Sequence, residues 1–439
     1  MVLIIIIVYI LMGGIVFAKN LDTISQRVIM SYLGVWLVAI IISISSAYGL
    51  NKPEDNTVYL LLAHIVMFTI GFVIAQSKSN NAGTIDYSEN INCAIDKLVK
   101  NKVFLSLLSI SLIYILYLFH KFYAAILFSN STVSVRSDFF SGELFGTGFI
   151  MINAFFLVPW SILLLALFCY MVLYKRNVMC WLIGLEYILY SSLSGSRGGL
   201  LDIIIGVFFV YFCMGNVINK GKGKKIMQII LIFATITILV SWLTSIRSNN
   251  LEFNKENIQT GGEDLLKHIT FYLGGPIVAF DYALNSNYIE EVGGYQYGQM
   301  TFASVEEFFF YLRSALNKVI NIGLYERPIN KIGTMMQERV DLGGLFDWNA
   351  LYTSCMYYYL DFGVIGVVIL PFFFGFAIRK LIFKFYTQNS FYIYLICSFI
   401  FIIMIDSVTR LYFYRFGQLI FIIVAYVISK KKPITHKQE

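Results

Sequence analysis

Arginine is the residue whose placement in this sequence points most directly at chemistry. The hexapeptide Ser194-Gly195-Ser196-Arg197-Gly198-Gly199 sets a guanidinium in a glycine-rich turn between two apolar runs. Adjacent glycines can turn backbone N–H groups toward an anion, and the helix that follows would bring its positive dipole end to the same spot. Arg197 would add a charge-assisted fork suited to phosphate or carboxylate. The competing reading is a tight glycine-rich helical hairpin. Asp202, one turn into the next run, is a costly acid in an apolar segment and would pair with Arg197 or another arginine. Arg247 follows an apolar run, Arg410 lies in a short hairpin, and Arg415 lies about one turn inside the last run. Any one arginine near a helix end can simply snorkel toward headgroups or pair with a neighbouring acid. The set together is harder to dismiss in that way.

A second marked stretch is Asn349-Ala350-Leu351-Tyr352-Thr353, followed by Tyr357-Tyr358-Tyr359-Leu360-Asp361-Phe362-Gly363-Val364-Ile365-Gly366. On a continuous helix Asn349 and Thr353 share one face at its outer end, where they would meet a polar head group. Asp361 would then lie about 18 Å deeper, which favours a structural role, and Gly363 and Gly366 would serve close helix packing. Histidine offers little: His64, His120, His268 and His436 are scattered, and only His268 falls in the long polar segment. A serine-histidine-aspartate triad or a histidine metal site is therefore poorly supported. No Walker A or GxGxxG element occurs, so activated substrates rather than nucleotide must supply any driving force.

Composition dictates what carries these residues. The 439 residues are 58% hydrophobic and 13% charged, about half the charge of a soluble domain. Long apolar runs recur along the chain, which predicts an all-α polytopic membrane protein and excludes a β-barrel. About eleven helices are expected, at 2–18, 28–47, 58–76, 103–122, 149–174, 178–194, 199–216, 226–245, 350–378, 391–408 and 411–429. The first run lacks a basic flank and a cleavage site and is expected to be a retained helix. The six cysteines show no CxxC or metal spacing and read as free thiols. The expected layout is helices 1–8 in 1–246, a large extracytoplasmic, partly helical loop in 247–349, and helices 9–11 with a basic tail in 350–439.

The basic clusters at 175–176, 220–225, 379–384 and 430–432 fall on one side, which the positive-inside rule makes cytoplasmic together with the C-terminus. On that topology 16 of 22 lysines lie inside. Of 11 arginines only Arg27, Arg176 and Arg379 do; Arg136, Arg197, Arg247, Arg313, Arg327, Arg339, Arg410 and Arg415 lie outside. Lysine follows the insertion rule and arginine opposes it, so a second requirement acts on the outer face: an anion site at the membrane interface. The net charge of +7 therefore needs no nucleic acid. The outer loop also holds most of the acids, and helical spacing at 265–284 and 301–321 predicts a small cap of its own.

With SGSRGG between two helices, FYLGGPIVAFDYAL and Gly298-Gln299-Met300-Thr301-Phe302 in the outer loop, and NALYTS…YYYLDFGVIGVVILPFFFG after it, the chain resembles the Wzy-type oligosaccharide repeat-unit (O-antigen) polymerases. The resemblance implies an inverting, metal-independent glycosyltransferase of GT-C-like architecture without cofactor, in the bacterial inner membrane with its site on the periplasmic side. It implies undecaprenyl-pyrophosphate-linked oligosaccharide as substrate, with membrane lipid and a chain-length regulator as partners. Arg197, Arg247, Arg410 and Arg415 would hold the pyrophosphate, with Arg327 and Arg339 closing over it. Fixed cations at the leaving group are what such a transfer requires. Arg197 is also counted among the catalytic candidates. The acceptor hydroxyl needs a base, and Glu306, Glu307, Asp281, Glu338 and His268 all remain candidates. Tyr295, Tyr297 and Trp348 would stack on sugars or pack internally, with Asn349 and Thr353 at the head group. A flippase of lipid-linked oligosaccharide and an O-antigen ligase are the alternatives.

Overall fold

A computed structural model describes residues 2–19, 21–75, 87–129, 135, 143–193, 198–214, 255–323, 325–337, 341–343, 352–388, 390–411, 413 and 415–431. Among them nearly all structure is helical, and the only β-pairing is a single bridge between Leu50 and Gly343. The helices are α1 Val2–Ala18, α2 Thr23–Ile44, α3 Asp55–Ile74, α4 Tyr87–Val99, α5 Lys102–Ser129, α6 Thr147–Ile152, α7 Val158–Tyr174, α8 Val178–Ser192 and α9 Gly198–Phe208. They continue as α10 Lys255–Asn285, α11 Ala303–Ile320, α12 Pro328–Gln337, α13 Ser354–Gln388, α14 Phe391–Asp406 and α15 Phe416–Lys431. Ten of the expected segments coincide with helices; the one at 226–245 lies outside the described residues. Five helices are long and apolar enough to cross a membrane: Thr23–Ile44, Asp55–Ile74, Lys102–Phe128, Gly148–Tyr174 and Ser354–Phe385. Shorter apolar helices accompany them.

The chain divides into two compact units built from interleaved segments. The first comprises Met1–Asn81, Lys267–Tyr386 and Ile403–Leu419. From Lys267 onward, the described part of the segment expected as an extracytoplasmic cap falls in this unit together with apolar helices. In this unit α3 and α13 touch at backbone distance through two reciprocal glycines. A Cβ on Gly71 would fall 2.0 Å from the Phe372 carbonyl oxygen, and one on Gly375 2.2 Å from that of Phe68. Small residues permit this approach where lipid supplies no hydrophobic drive for association. One turn beyond Gly375 on α13, Arg379 donates to the Asp22 carboxylate at 2.6 Å and to the Ser25 hydroxyl, while Asp22 caps α2 by accepting from Ser25 N–H at 2.9 Å. The N-cap bond and the ion pair fasten α2 to α13 with one carboxylate.

Helix α13 is not continuous. Phe362 (φ −140°, ψ 16°) and Gly363 (φ 62°, ψ −154°) leave helical geometry, so the expectation of one unbroken helix through the YYYLDFG stretch is corrected. The conformation of Gly363 is one that essentially only glycine adopts, which adds a backbone cause to the packing role expected of this glycine. A second strand of chain fills the break. Gln296 N–H donates to Leu360 O at 2.9 Å, and Tyr297 N–H to Asp361 O at 3.3 Å. Asp361, fully buried, accepts from Met300 N–H at 3.0 Å and Thr301 N–H at 2.6 Å. Every backbone group freed by the break must find a partner away from water, and residues 296–301 provide it.

The second unit comprises Ala82–Leu266, Thr387–Ile402 and Ile420–Glu439. Its helices α5, α7, α8 and α9 pack together. Between α6 and α7 the chain makes one π-helical turn, Asn153–Leu157, and Tyr190 of α8 donates to the Asn153 side chain at 2.9 Å. Tyr394 of α14 donates to the Ala166 carbonyl at 2.8 Å.

Gly363→Ala should lower unfolding stability by about 1–3 kcal/mol, the cost of a backbone conformation foreign to L-residues. Tyr295→Ala in the same chain should not restore it, although Tyr295 Oη lies 2.8 Å from the added Cβ, because the strain is in the backbone. Thermal unfolding followed by tryptophan fluorescence measures both.

Candidate functional site

Three acids proposed from the sequence as bases sit in the first unit, and their surroundings differ. Glu306 lies in the first turn of α11 and Glu307 follows it; both are buried, Glu307 to 1% exposure, rather than solvated. Arg327 reaches both: its Nε donates to Glu306 Oε2 at 2.7 Å, its Nη1 to Glu307 Oε1 at 3.0 Å, and its Nη2 to the Ala303 carbonyl at 3.2 Å. The remaining carboxylate oxygens are also occupied. Tyr325 donates to Glu306 Oε1 at 2.7 Å, and Phe416 N–H to Glu307 Oε2; Tyr311 adds a bond to Glu307 Oε1. Adjacent residues on a helix point in different directions, yet one planar guanidinium spans the two. Glu307 in turn satisfies the first N–H of α15, an acid at a helix N-terminus where the dipole favours it.

Arg327 is therefore committed to the protein's own carboxylates rather than left to close over a pyrophosphate. It also supplies the carbonyl that opens α12, accepting from Asn330 and Lys331 N–H at 3.0 and 3.1 Å, with Pro328 at the first helical position. Arg313 donates to the Gly323 and Ile322 carbonyls at 2.9 and 3.1 Å, so it closes the end of α11. Arg410 forms an ion pair with Asp406 at 3.7 Å. Arg415 precedes α15, and its N–H donates to the Gln418 side chain at 3.2 Å, the returning half of a capping box. Ser304 N–H to the Phe413 carbonyl at 3.0 Å joins the start of α11 to the same hairpin. Arg415 is thus brought near the Glu306, Glu307 and Arg327 cluster.

Asp281 lies on α10 and differs from the glutamates. Its Oδ1 accepts from Glu54 N–H at 3.0 Å, from the Thr57 hydroxyl and, at 3.4 Å, from Asn285. It thereby caps the N-terminus of α3 from another helix. All three bonds end on Oδ1, which leaves Oδ2 at a half-buried position outside them.

Tyr295 and Tyr297 flank the seam with α13. Tyr297 is 77% exposed and held in left-handed geometry (φ 49°), which aims a large aromatic face outward; Tyr295 stands against Gly363. Thr353 precedes α13 and is fully buried, so it stands outside the helix and on no exposed face that a head group could meet. That expectation assumed a helix starting at 350; α13 starts at Ser354, where Ser354 N–H donates to Ser407 O at 2.8 Å. Arg197, Arg247, Arg339, Glu338, Trp348 and Asn349 lie outside the described residues, as does the His268 side chain. Beside Arg197, Gly199 carries no positive φ; a Cβ there would fall 2.4 Å from Ser191 Cβ, and its carbonyl accepts from Tyr187 at 3.0 Å. At this glycine the hairpin packing reading holds. Asp202 is buried in α9.

Sequence reasoning missed Glu186, a fully buried acid in α8. It also missed Arg379 and Asp22 as partners, because their separation in sequence hides the contact.

Arg327→Ala should cost about 3–5 kcal/mol, since it strands two buried carboxylates, and Arg327→Lys should recover only part of that loss because an ammonium cannot span both. Thermal unfolding decides; unchanged stability with weakened pyrophosphate binding would return the residue to the ligand. Tyr325 gives a pH signature. Burial, and then the bond to Glu306, push its phenol from 10.0 up to about 12. The protonated form is the one the fold favours, so its contribution is complete below pH 10 and is lost as pH rises through about 12. The melting-temperature gap between the wild type and Tyr325→Phe should close across that window.

Comparisons with protein-family models, curated proteins and solved structures return no match.

Proposed function

We propose that this chain is a Wzy-type membrane glycosyltransferase that joins undecaprenyl-pyrophosphate-linked oligosaccharide repeat units into O-antigen or a related surface polysaccharide. On this reading eleven spans place the site on the periplasmic side of a bacterial inner membrane and the C-terminus in the cytoplasm. The observation that carries the reading is the opposed sidedness of lysine and arginine, 16 of 22 lysines against 3 of 11 arginines on the inner side. An excess of planar, permanently charged donors on the outer face suits a pyrophosphate leaving group. The five membrane-length helices agree with such a protein in outline.

In the reaction an acceptor sugar hydroxyl attacks the anomeric carbon of the lipid-linked donor. The bond from that carbon to the pyrophosphate oxygen breaks with inversion, the hydroxyl proton passes to a base, and undecaprenyl pyrophosphate leaves. Arg197, Arg247, Arg410 and Arg415 keep their assignment to the pyrophosphate. Among the described acids Asp281 is the best base, because Oδ1 is fixed by its capping bonds while Oδ2 remains outside them. A positioned base contributes about 10²–10⁴-fold.

The break in α13 favours one second reading, a transporter of lipid-linked oligosaccharide, since broken helices form binding sites in transporters. The protein's own residues 296–301 occupy that break, which weighs against it.

Purified protein incubated with defined lipid-linked repeat units should produce a ladder of polymer that chelator does not suppress. Arg197→Ala should abolish the ladder while leaving insertion intact. Asp281→Asn keeps an acceptor for the α3 cap and should reduce extension by about 10²-fold or more at unchanged melting temperature. Translocation of labelled lipid-linked glycan without extension would establish the transporter instead, and transfer only to a lipid A core or a protein would establish a ligase.

A further inference from the structure

Glu186 is fully buried on α8, the helix that packs against α5, α7 and α9. Its Oε1 receives the Trp160 indole N–H at 2.8 Å and lies 2.5 Å from the Ser111 hydroxyl oxygen; its Oε2 is buried without a partner. No lysine, arginine or histidine among the described residues forms an ion pair with it. The cations on the packed helices are Lys102, His120 and Lys121 of α5; the only other charged group there is Asp202 of α9, also an acid. Ser111 is nine residues from both Lys102 and His120, about 14 Å along the helix axis in each direction. An ionised carboxylate there would be buried without a countercharge among the described residues, a cost that such groups avoid by taking up a proton.

Proton counting leads to the same answer. The Ser111 oxygen lies 2.6 Å from the Leu107 carbonyl oxygen as well as 2.5 Å from Glu186 Oε1. A serine has one hydroxyl proton. Helical Ser31 and Ser109 both donate theirs to the carbonyl four residues back, at 2.8 and 3.0 Å. If Ser111 does the same toward Leu107, the short contact to Glu186 is a hydrogen bond only when the carboxyl supplies the proton. The chain of donors then runs from Glu186 to Ser111 to the Leu107 carbonyl, with Trp160 fixing the carboxyl plane.

We propose that Glu186 is a proton-binding site in the membrane interior: a neutral carboxylic acid that donates to Ser111 and holds its second oxygen open. Glycosyl transfer as proposed above does not use this group, so the inference stands independently of that reading. The test is infrared difference spectroscopy of the full-length protein in lipid nanodiscs at neutral pH. The wild-type minus Glu186→Gln spectrum should show the carbonyl stretch of a protonated carboxyl, moving to lower frequency in D2O as the acid proton exchanges. Ser111→Ala, which retains the acid, should move the band upward through loss of its hydrogen bond, and this variant serves if Glu186→Gln does not fold. A difference spectrum containing only carboxylate stretches, or a protonated-carboxyl region unaltered by Ser111→Ala, would overturn the assignment.

Discussion

A helix broken inside an apolar environment must have its freed peptide groups satisfied by the protein itself, and the first unit is organised around that requirement. Asp361 and the two carbonyls at the break receive four N–H donors from residues 296–301. The donors come from a segment that composition alone assigns to a solvated loop. Once Met300 and Thr301 are held there, α11 begins at a fixed place, two residues later. The acids near its start are then positioned to take Arg327 and the N-terminus of α15. One carboxylate thus sets the register of an outer helix, an ion-pair cluster and the last hairpin.

Charge is used twice in this chain. Some of the arginines expected to form an anion site hold protein groups: Arg327 bridges two glutamates, and Arg313 ties back two carbonyls. Guanidinium suits both tasks for the same reason, a planar array of donors that can satisfy several acceptors at once. An abundance of arginine in such segments therefore has an architectural source whatever ligand the chain binds. Asp281 shows the complementary economy: a single oxygen caps a helix, and the other is left outside those bonds.

The helices were legible because an apolar run long enough to cross a lipid core can satisfy its peptide groups only as a helix, and α2, α3, α5 and α13 carry that signal almost undiluted. The break at Phe362–Gly363 was not, because DFGVIG reads as apolar helix with small packing residues until the docking segment is known. The Arg327 cluster joins residues about twenty apart in sequence across a turn, a distance at which no periodicity operates. Glu186 was hidden differently: one acid in LIGLEYILY barely lowers the hydropathy of the run, and its partners Ser111 and Trp160 come from other helices. Thr353 was misplaced because a helix assumed to start four residues early turns a buried side chain outward.

The two pieces of α13 are anchored by different means. The piece before the break is tied by hydrogen bonds to residues 296–301, whereas the piece after it is locked to α3 by backbone contact at Gly71 and Gly375 and to α2 through Arg379. Mechanically they are two levers with a pinned joint at Gly363, not one rod. Each piece therefore depends on its own set of contacts: a substitution in 296–301 acts on the first, and one at Gly71 or Gly375 acts on the second.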